Sequence, residues 1–383
     1  MIRTTVDAQA RRLATLLLAS VACGAWAQSS VPASSAPTAG ATHRTDGPAP
    51  SIALILPNQQ TVFARAAEAV RQGFFSASEA AGSKLVIQVV EVDDDAAQLQ
   101  TALGGALQRG VKTVVGPLLR SGVNAVIDGG YASPPLVALN YPDRDAAAPS
   151  TMIALGVSAE SEAHYVVRIA LAEFVGTRRS VGSAPRFVVL AGSSTLERRI
   201  AQAYVVELRA GGESPLLIDA AVGQGDRLAR LLDPERHDAV FLALEARDAA
   251  LLRARIPRPI LIFGTSLLNT AGGAASPEAT ALAHDLDGVR FVDMPWLLRA
   301  NPSTGAGGPL PAAPLPADLA RLYALGVDAY LVAQRWGAGE TRFTVEGMMG
   351  RLRVDRSAGP RVERTPASAI YRNGAIEREE IGR

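Results

Sequence analysis

A chain of 383 residues, 48% hydrophobic and 20% charged, is globular material with length for two lobes, and is neither fibrous nor disordered in composition. Its formal net charge of +1 gives no overall field for gripping a phosphate backbone, and its arginines are scattered, so nucleic acid is not an expected partner.

The amino terminus reads as an export signal. Arg3, Arg11 and Arg12 form a positive region, residues 13–22 (LATLLLASVA) an apolar run, and Ala25-Trp26-Ala27 a small-residue cleavage site before Gln28. The apolar run is too short for a permanent membrane span. The only cysteine, Cys23, lies in this segment, so cleavage after Ala27 leaves a chain without thiol chemistry. A competing reading makes Cys23 a lipidated first residue, because Ser20-Val21-Ala22-Cys23 is close to a lipobox, with Ser20 where such a box prefers leucine. The expected location is the periplasm; the alternative is an outer-membrane lipoprotein anchored at Cys23, the only way a membrane enters the reading. Residues 28–50 (QSSVPASSAPTAGATHRTDGPAP) have almost nothing to bury and are expected to form a flexible tether.

From Ser51 onward, strand-like and helix-like segments alternate. Residues 51–57 (SIALILP) read as a buried strand and 61–81 as a helix with Val62, Ala66, Ala69, Val70 and Phe74 on one stripe. Strands over 84–93, 111–118 and 135–140 and helices over 96–109 and 121–129 continue the series. Strands apolar on both faces and separated by helices predict a parallel sheet covered on both sides. A second set follows. Strands are predicted over 151–158, 186–193, 214–220, 239–246 and 259–266, and helices over 159–175, 195–210, 225–232 and 247–255. A loop is expected around 269–283. GVRFVDMPWLL (288–298) then starts as a strand that Pro295 must stop, with Trp296 expected inside as a large apolar side chain. A Pro/Gly/Ala-rich insertion (299–317), an amphipathic helix (318–336) and two hairpins, turning at 356–360 and at Asn373-Gly374, complete the chain. The fold class is therefore α/β: two doubly wound parallel-sheet lobes with a cleft between them.

No catalytic motif is present: there is no phosphate loop, no nucleophile elbow and no metalloprotease helix. The four histidines are isolated and the only cysteine lies in the export segment, so neither a transition-metal site nor a cofactor is expected. Asp93-Asp94-Asp95 could be read as a hard-cation site, but at a strand-to-helix junction it reads better as an N-cap. Gly192-Ser193-Ser194-Thr195 likewise reads as a helix cap and not as a serine nucleophile. The candidate ligand-binding residues are those that follow strands: Asn58, Gln59 and Gln60; Gly116, Pro117 and Leu118; Asn140 and Tyr141; and Ser158. Their amides, hydroxyls and backbone N–H groups suit a small polar ligand. Turns need Gly, Pro and Asn regardless, and the two readings stay open.

GPLLRSGVNAV, PLVALN, LGVSAESEA, LDGVRFVDMPWLL, RLYALGVDAYLVA and GRLRVDRSAGPRVER together resemble the penicillin-binding-protein activators of the LppC/LpoA family, on a type 1 periplasmic-binding-protein-like fold. The resemblance implies lobes at about 51–155 with 295–345 and at about 156–290 with 350–383, and chain crossings near 156–160, 289–294 and 348–355. It also implies a non-enzymatic cell-envelope regulator that binds and stimulates a class A penicillin-binding protein. The alternative is a periplasmic solute-binding protein for an amino acid or similar small polar ligand, and a cleft filled by protein side chains counts against it. A cell-wall hydrolase ranks behind both, having no coherent nucleophile, base or metal.

Overall fold

The unbroken apolar run of residues 52–57 has a direct structural consequence: successive side chains enter two different cores. The computed structural model describes residues 51–174, 186–220, 225–270, 276–298 and 308–379; the export signal, Cys23, the tether and residues 299–307 of the insertion lie outside them. In the first lobe, β1 (Ile52–Pro57), β2 (Ile87–Val92), β3 (Thr113–Val115), β4 (Leu136–Ala138) and β5 (Met152–Ala154) form a parallel sheet in the order β2-β1-β3-β4-β5. Leu54 and Leu56 of β1 pack with Val70 and Phe74 of α1 (Ala64–Ala80). Ala53 and Ile55 point the other way, toward Leu99 and Leu103 of α2 (Ala96–Gln108) and Val123 and Val126 of α3 (Arg120–Asp128).

The second lobe repeats the scheme. It contains α4 (Ala159–Glu173), β6 (Phe187–Ala191), α5 (Thr195–Ala210), β7 (Leu216–Asp219), α6 (Gly225–Leu231), β8 (Ala239–Ala243), α7 (Ala246–Arg253), β9 (Leu261–Gly264), α8 (Pro277–Asp285) and β10 (Val289–Asp293). Val188 and Leu190 belong to one core cluster, Phe187 and Val189 to the other. After β10 a short 3-10 turn, Pro295–Leu298, leads back toward the first lobe and α9 (Ala317–Gly337). Then come β11 (Arg342–Gly347), β12 (Gly350–Asp355) and β13 (Glu363–Thr365) as a separate antiparallel sheet. Finally β14 (Ala367–Arg372) and β15 (Ala375–Glu379) join the second lobe, whose sheet runs β15-β14-β10-β9-β8-β6-β7.

Local chemistry explains several boundaries. Asp95 caps α2 by accepting from the N–H groups of Ala97 and Gln98, and Ser158 caps α4 by accepting from Ser161. Ser194 and Glu197 form a reciprocal capping box on α5, so the Gly192–Thr195 segment is the expected cap. The β14–β15 hairpin turns at Asn373 and Gly374 with φ of 52° and 77°, the left-handed pair that Asn-Gly tolerates best.

Three expectations need correction. The loop expected over 269–283 contains most of α8. Its stripe, Ala279, Leu282 and Ala283 leading to Leu286, is short and built mostly of alanine, so its clearest signals are the Ser276 cap and Pro277 in the first turn. The strand β11 precedes the expected hairpin and pairs with β12 across a Met348-Met349 turn. The last crossing lies at Pro366, between β13 and β14, and not over 348–355. Leu352, Val354 and Val362 put the β12–β13 hairpin in the first lobe's core, and the backbone of Ala154 bonds both Pro360 and Val362 at 2.7 and 2.9 Å. Residues 350–365 therefore pack with the first lobe, because the apolar face of the hairpin meets that core.

The helix pair α1–α9 closes this core through two glycines. A Cβ added to Gly73 would lie 2.0 Å from the carbonyl oxygen of Tyr323, and one added to Gly326 would lie 2.1 Å from that of Val70. Both obstacles are helix backbone, so a side chain at either place must drive the helices apart. Gly326→Ala is expected to destabilise the protein by about 3 kcal/mol, at the upper end for overpacking, as read by urea denaturation.

Candidate functional site

The residues that follow the strands of the first lobe mostly bond one another. The Asn58 side-chain oxygen accepts from the Gln60 N–H at 2.8 Å, and its amide donates to Asp93. Gln59 and Gln60 themselves are exposed. Gly116 has φ of 108°, and a Cβ there would sit 2.1 Å from the Ile55 carbonyl oxygen, so the strand end admits only glycine. Pro117 and Leu118 are buried. Asn140 donates to the Leu118 carbonyl at 3.1 Å and accepts from the Tyr141 N–H at 2.9 Å.

Tyr141 is buried, donates its hydroxyl to the Gly156 carbonyl at 3.1 Å, and has the Arg361 guanidinium 4.6 Å from its ring centre. Burial pushes its phenol up, against the nearby charges of Arg364 and Arg361. Ser158 accepts from Ser161 and donates to Glu160 at 2.9 Å. Leu118, Asn140 and Tyr141 thus form one bonded run, which Ser161 joins to Ser158, while Asn58 sits in a separate local network.

Two ion pairs that sequence reasoning did not single out join the lobes. Asp293, at the carboxyl end of β10, is fully buried. Its Oδ1 accepts from the Met294 N–H at 2.7 Å and from Arg321 Nε at 3.1 Å; its Oδ2 accepts from Arg321 Nη2 at 2.6 Å and from Asn269 at 2.7 Å. Arg321 comes from α9, on the first lobe. Burial pulls its guanidinium down, but the charge and hydrogen bonds of Asp293, with the charges of Glu162 and Asp318, together raise it, so Arg321 stays charged.

The second pair is Glu162–Arg364, at 2.6 Å, with side chains only 1% and 3% exposed. Glu162 stands in the first turn of α4 and Arg364 in β13, so this pair also crosses from lobe to lobe. Ser266, just past β9, ties the two together: its N–H donates to Glu162 at 3.0 Å and its carbonyl accepts from Arg321 at 3.1 Å. The region outside the carboxyl ends of β9 and β10, where an open parallel sheet receives a ligand, is occupied by two arginines of the chain itself.

Beside this network, Trp296 is buried as expected, with its ring 6.4 Å from that of Tyr323. Met294 is fully buried too. The apolar half of DMPWLL is thus a plug at the connection between lobes. Its acidic first residue, Asp293, makes the polar contact. Among the described residues no group of three or more His, Cys, Asp or Glu is placed to hold a metal ion.

The four bridging residues had a faint sequence signal. Asp293 is a lone carboxylate ending the apolar strand VRFV, and Arg321 stands on its helix away from the stripe of Leu319, Leu322, Tyr323 and Gly326. Glu162 reads as an ordinary first-turn acid and Arg364 as an ordinary strand arginine. All four fall inside the phrases LDGVRFVDMPWLL, RLYALGVDAYLVA, LGVSAESEA and GRLRVDRSAGPRVER.

Comparison with known proteins places this geometry. The model of the family described as "LppC putative lipoprotein" matches residues 45–374. A curated relative, penicillin-binding protein activator LpoA of Glaesserella parasuis, is 27% identical over 330 residues, covering 81% of this chain and 51% of the relative. The chain therefore spans about half the length of the curated relatives it matches. Among solved structures, the C-domain of LpoA from Haemophilus influenzae, described as a regulator of PBP1A, superposes with a TM-score of 0.67 at 22% identity, covering 86% of this chain and 99% of that one. A "putative branched-chain amino acid ABC transporter" from Chromobacterium violaceum gives a TM-score of 0.66 at 29% identity over 83% of this chain and 99% of its own length. The two-lobed α/β fold is thus the type 1 periplasmic-binding-protein-like one, and with the family model matching most of its length, the chain belongs to the LppC family.

Proposed function

We propose that this chain is a non-enzymatic cell-envelope protein that binds a class A penicillin-binding protein and stimulates its peptidoglycan synthesis. The observation that carries the reading is the family match over residues 45–374, with curated relatives named penicillin-binding protein activators. The filled region between the lobes supports it: Arg321 and Arg364 occupy the place where a solute carrier keeps room for its ligand. A solute-binding role is disfavoured on the same ground. Periplasmic location follows from the export signal, and the mass of the mature amino terminus distinguishes Gln28 from a lipidated Cys23.

The direct test is to mix the purified protein with a purified class A penicillin-binding protein. Binding by surface plasmon resonance and a raised rate of glycan polymerisation or cross-linking are expected. Absence of both sinks the proposal. A dose-dependent thermal shift with free amino acids, in their place, would favour the solute carrier.

A further inference from the structure

The first lobe's strand order reverses between β1 and β3, since β2 lies on one side of β1 and β3 on the other. Open parallel sheets receive ligands outside the strands' carboxyl ends at such a reversal. A cavity of about 160 Å³ lies there. Its interior is apolar, with Ile55, Val92, Leu99, Pro117, Leu118 and Ala125 among its walls, and Asp93, Asp94 and Asp95 line it too.

The charge at this cavity is of one sign. Helices α2 and α3 begin beside it, and bare helix ends would favour an anion, but Asp95 already accepts from the Ala97 and Gln98 N–H groups. Asp93 is held between the side-chain amides of Asn58 and Gln98, and Asp94 by the Ser121 hydroxyl. These partners are neutral, so they orient the carboxylates without cancelling their charge. An apolar interior under a carboxylate mouth complements a molecule with an apolar body and a cationic end. At about 30 Å³ for each water-sized group, the space suits roughly five or six heavy atoms.

We propose that the cavity at the β1/β3 reversal binds a compact branched-aliphatic ammonium, its hydrocarbon against Leu99 and Leu118 and its cation at Asp93–Asp95. This site is built from first-lobe residues alone and does not depend on the synthase reading; the two are measured by separate assays.

The test uses the purified full chain and three probes on one five-carbon skeleton: isopentylammonium, isopentanol and 3-methylbutanoate, followed by ligand-observed NMR. Saturable binding of the ammonium is expected, with the alcohol and the Asp94→Asn variant each weaker by about two- to fivefold, the range for an exposed charge contact. The carboxylate should not bind. Ala125→Leu fills the cavity and should abolish binding; should that variant fail to fold, Asp94→Asn and the three probes still decide the matter. Equal binding of alcohol and ammonium, binding of the carboxylate, or no saturable binding of the ammonium at tens of millimolar overturns the proposal.

Discussion

Glu162→Gln is expected to destabilise the protein by about 3–5 kcal/mol, the cost of leaving one charge of a buried pair without its partner. The amide keeps an oxygen for the Ser266 N–H but removes the charge facing Arg364, whose side chain is 3% exposed and has nowhere to find water. Its Nη1 is already buried without a hydrogen-bond partner among the described residues, so little reserve exists to absorb the loss. An exposed pair gives the control. Arg351–Glu346 is 66% and 69% exposed, and Glu346→Gln should cost under about 1 kcal/mol. Because Glu162 and Arg364 belong to different lobes, the buried substitution should also loosen closure, visible as a larger radius of gyration in small-angle scattering. Urea denaturation giving equal losses for the two variants would show that the bridge contributes no more than a surface contact.

How far the sequence reveals this arrangement depends on the range of the interaction concerned. Helix and strand existence is local: the two-faced burial of residues 52–57 and the stripe of α1 are written in neighbouring residues, as are the caps at Asp95, Ser158 and Ser194. Segments with few large apolar residues are harder to read. The stripe of α8 is short and mostly alanine, and in β11, RFTVEG, only Phe343 and Val345 are apolar. The lobe on which the β12–β13 hairpin packs depends on which core accepts Leu352 and Val354, which no local pattern specifies. The bridges are more remote still: Glu162 and Arg364 are 202 positions apart. Spacing within either segment cannot disclose their meeting, although the phrases containing them were recognisable as family markers.

Asp328→Asn should change the pH dependence of stability more than any static contact. Asp328 lies on α9 with no exposed surface and accepts from the Met348 and Met349 N–H groups, both at 2.8 Å, thereby holding the β11–β12 turn to the helix. Burial pushes its carboxyl up from 3.8 to about 7, partly offset by those two N–H groups and by the charge of Arg364. The folded state therefore keeps a proton that the unfolded chain has released. Below about pH 4 both states are neutral here. As pH rises toward 7, the unfolded state is increasingly favoured, and above 7 both are ionised and the effect is constant. A shift of about 3 units at about 1.4 kcal/mol each amounts to roughly 4 kcal/mol lost across that window. The asparagine variant has no charge to desolvate, but it sets an amide NH₂ against one backbone N–H, a penalty of about 1–3 kcal/mol that does not vary with pH. The native protein should accordingly be the more stable of the two near pH 4.5, with the gap closing or reversing by pH 8. Other carboxylates titrate alike in both proteins and cancel in the difference. Urea denaturation of the pair at pH 4.5, 6 and 8 checks this, and a gap that stays constant would mean that Asp328 is ionised throughout.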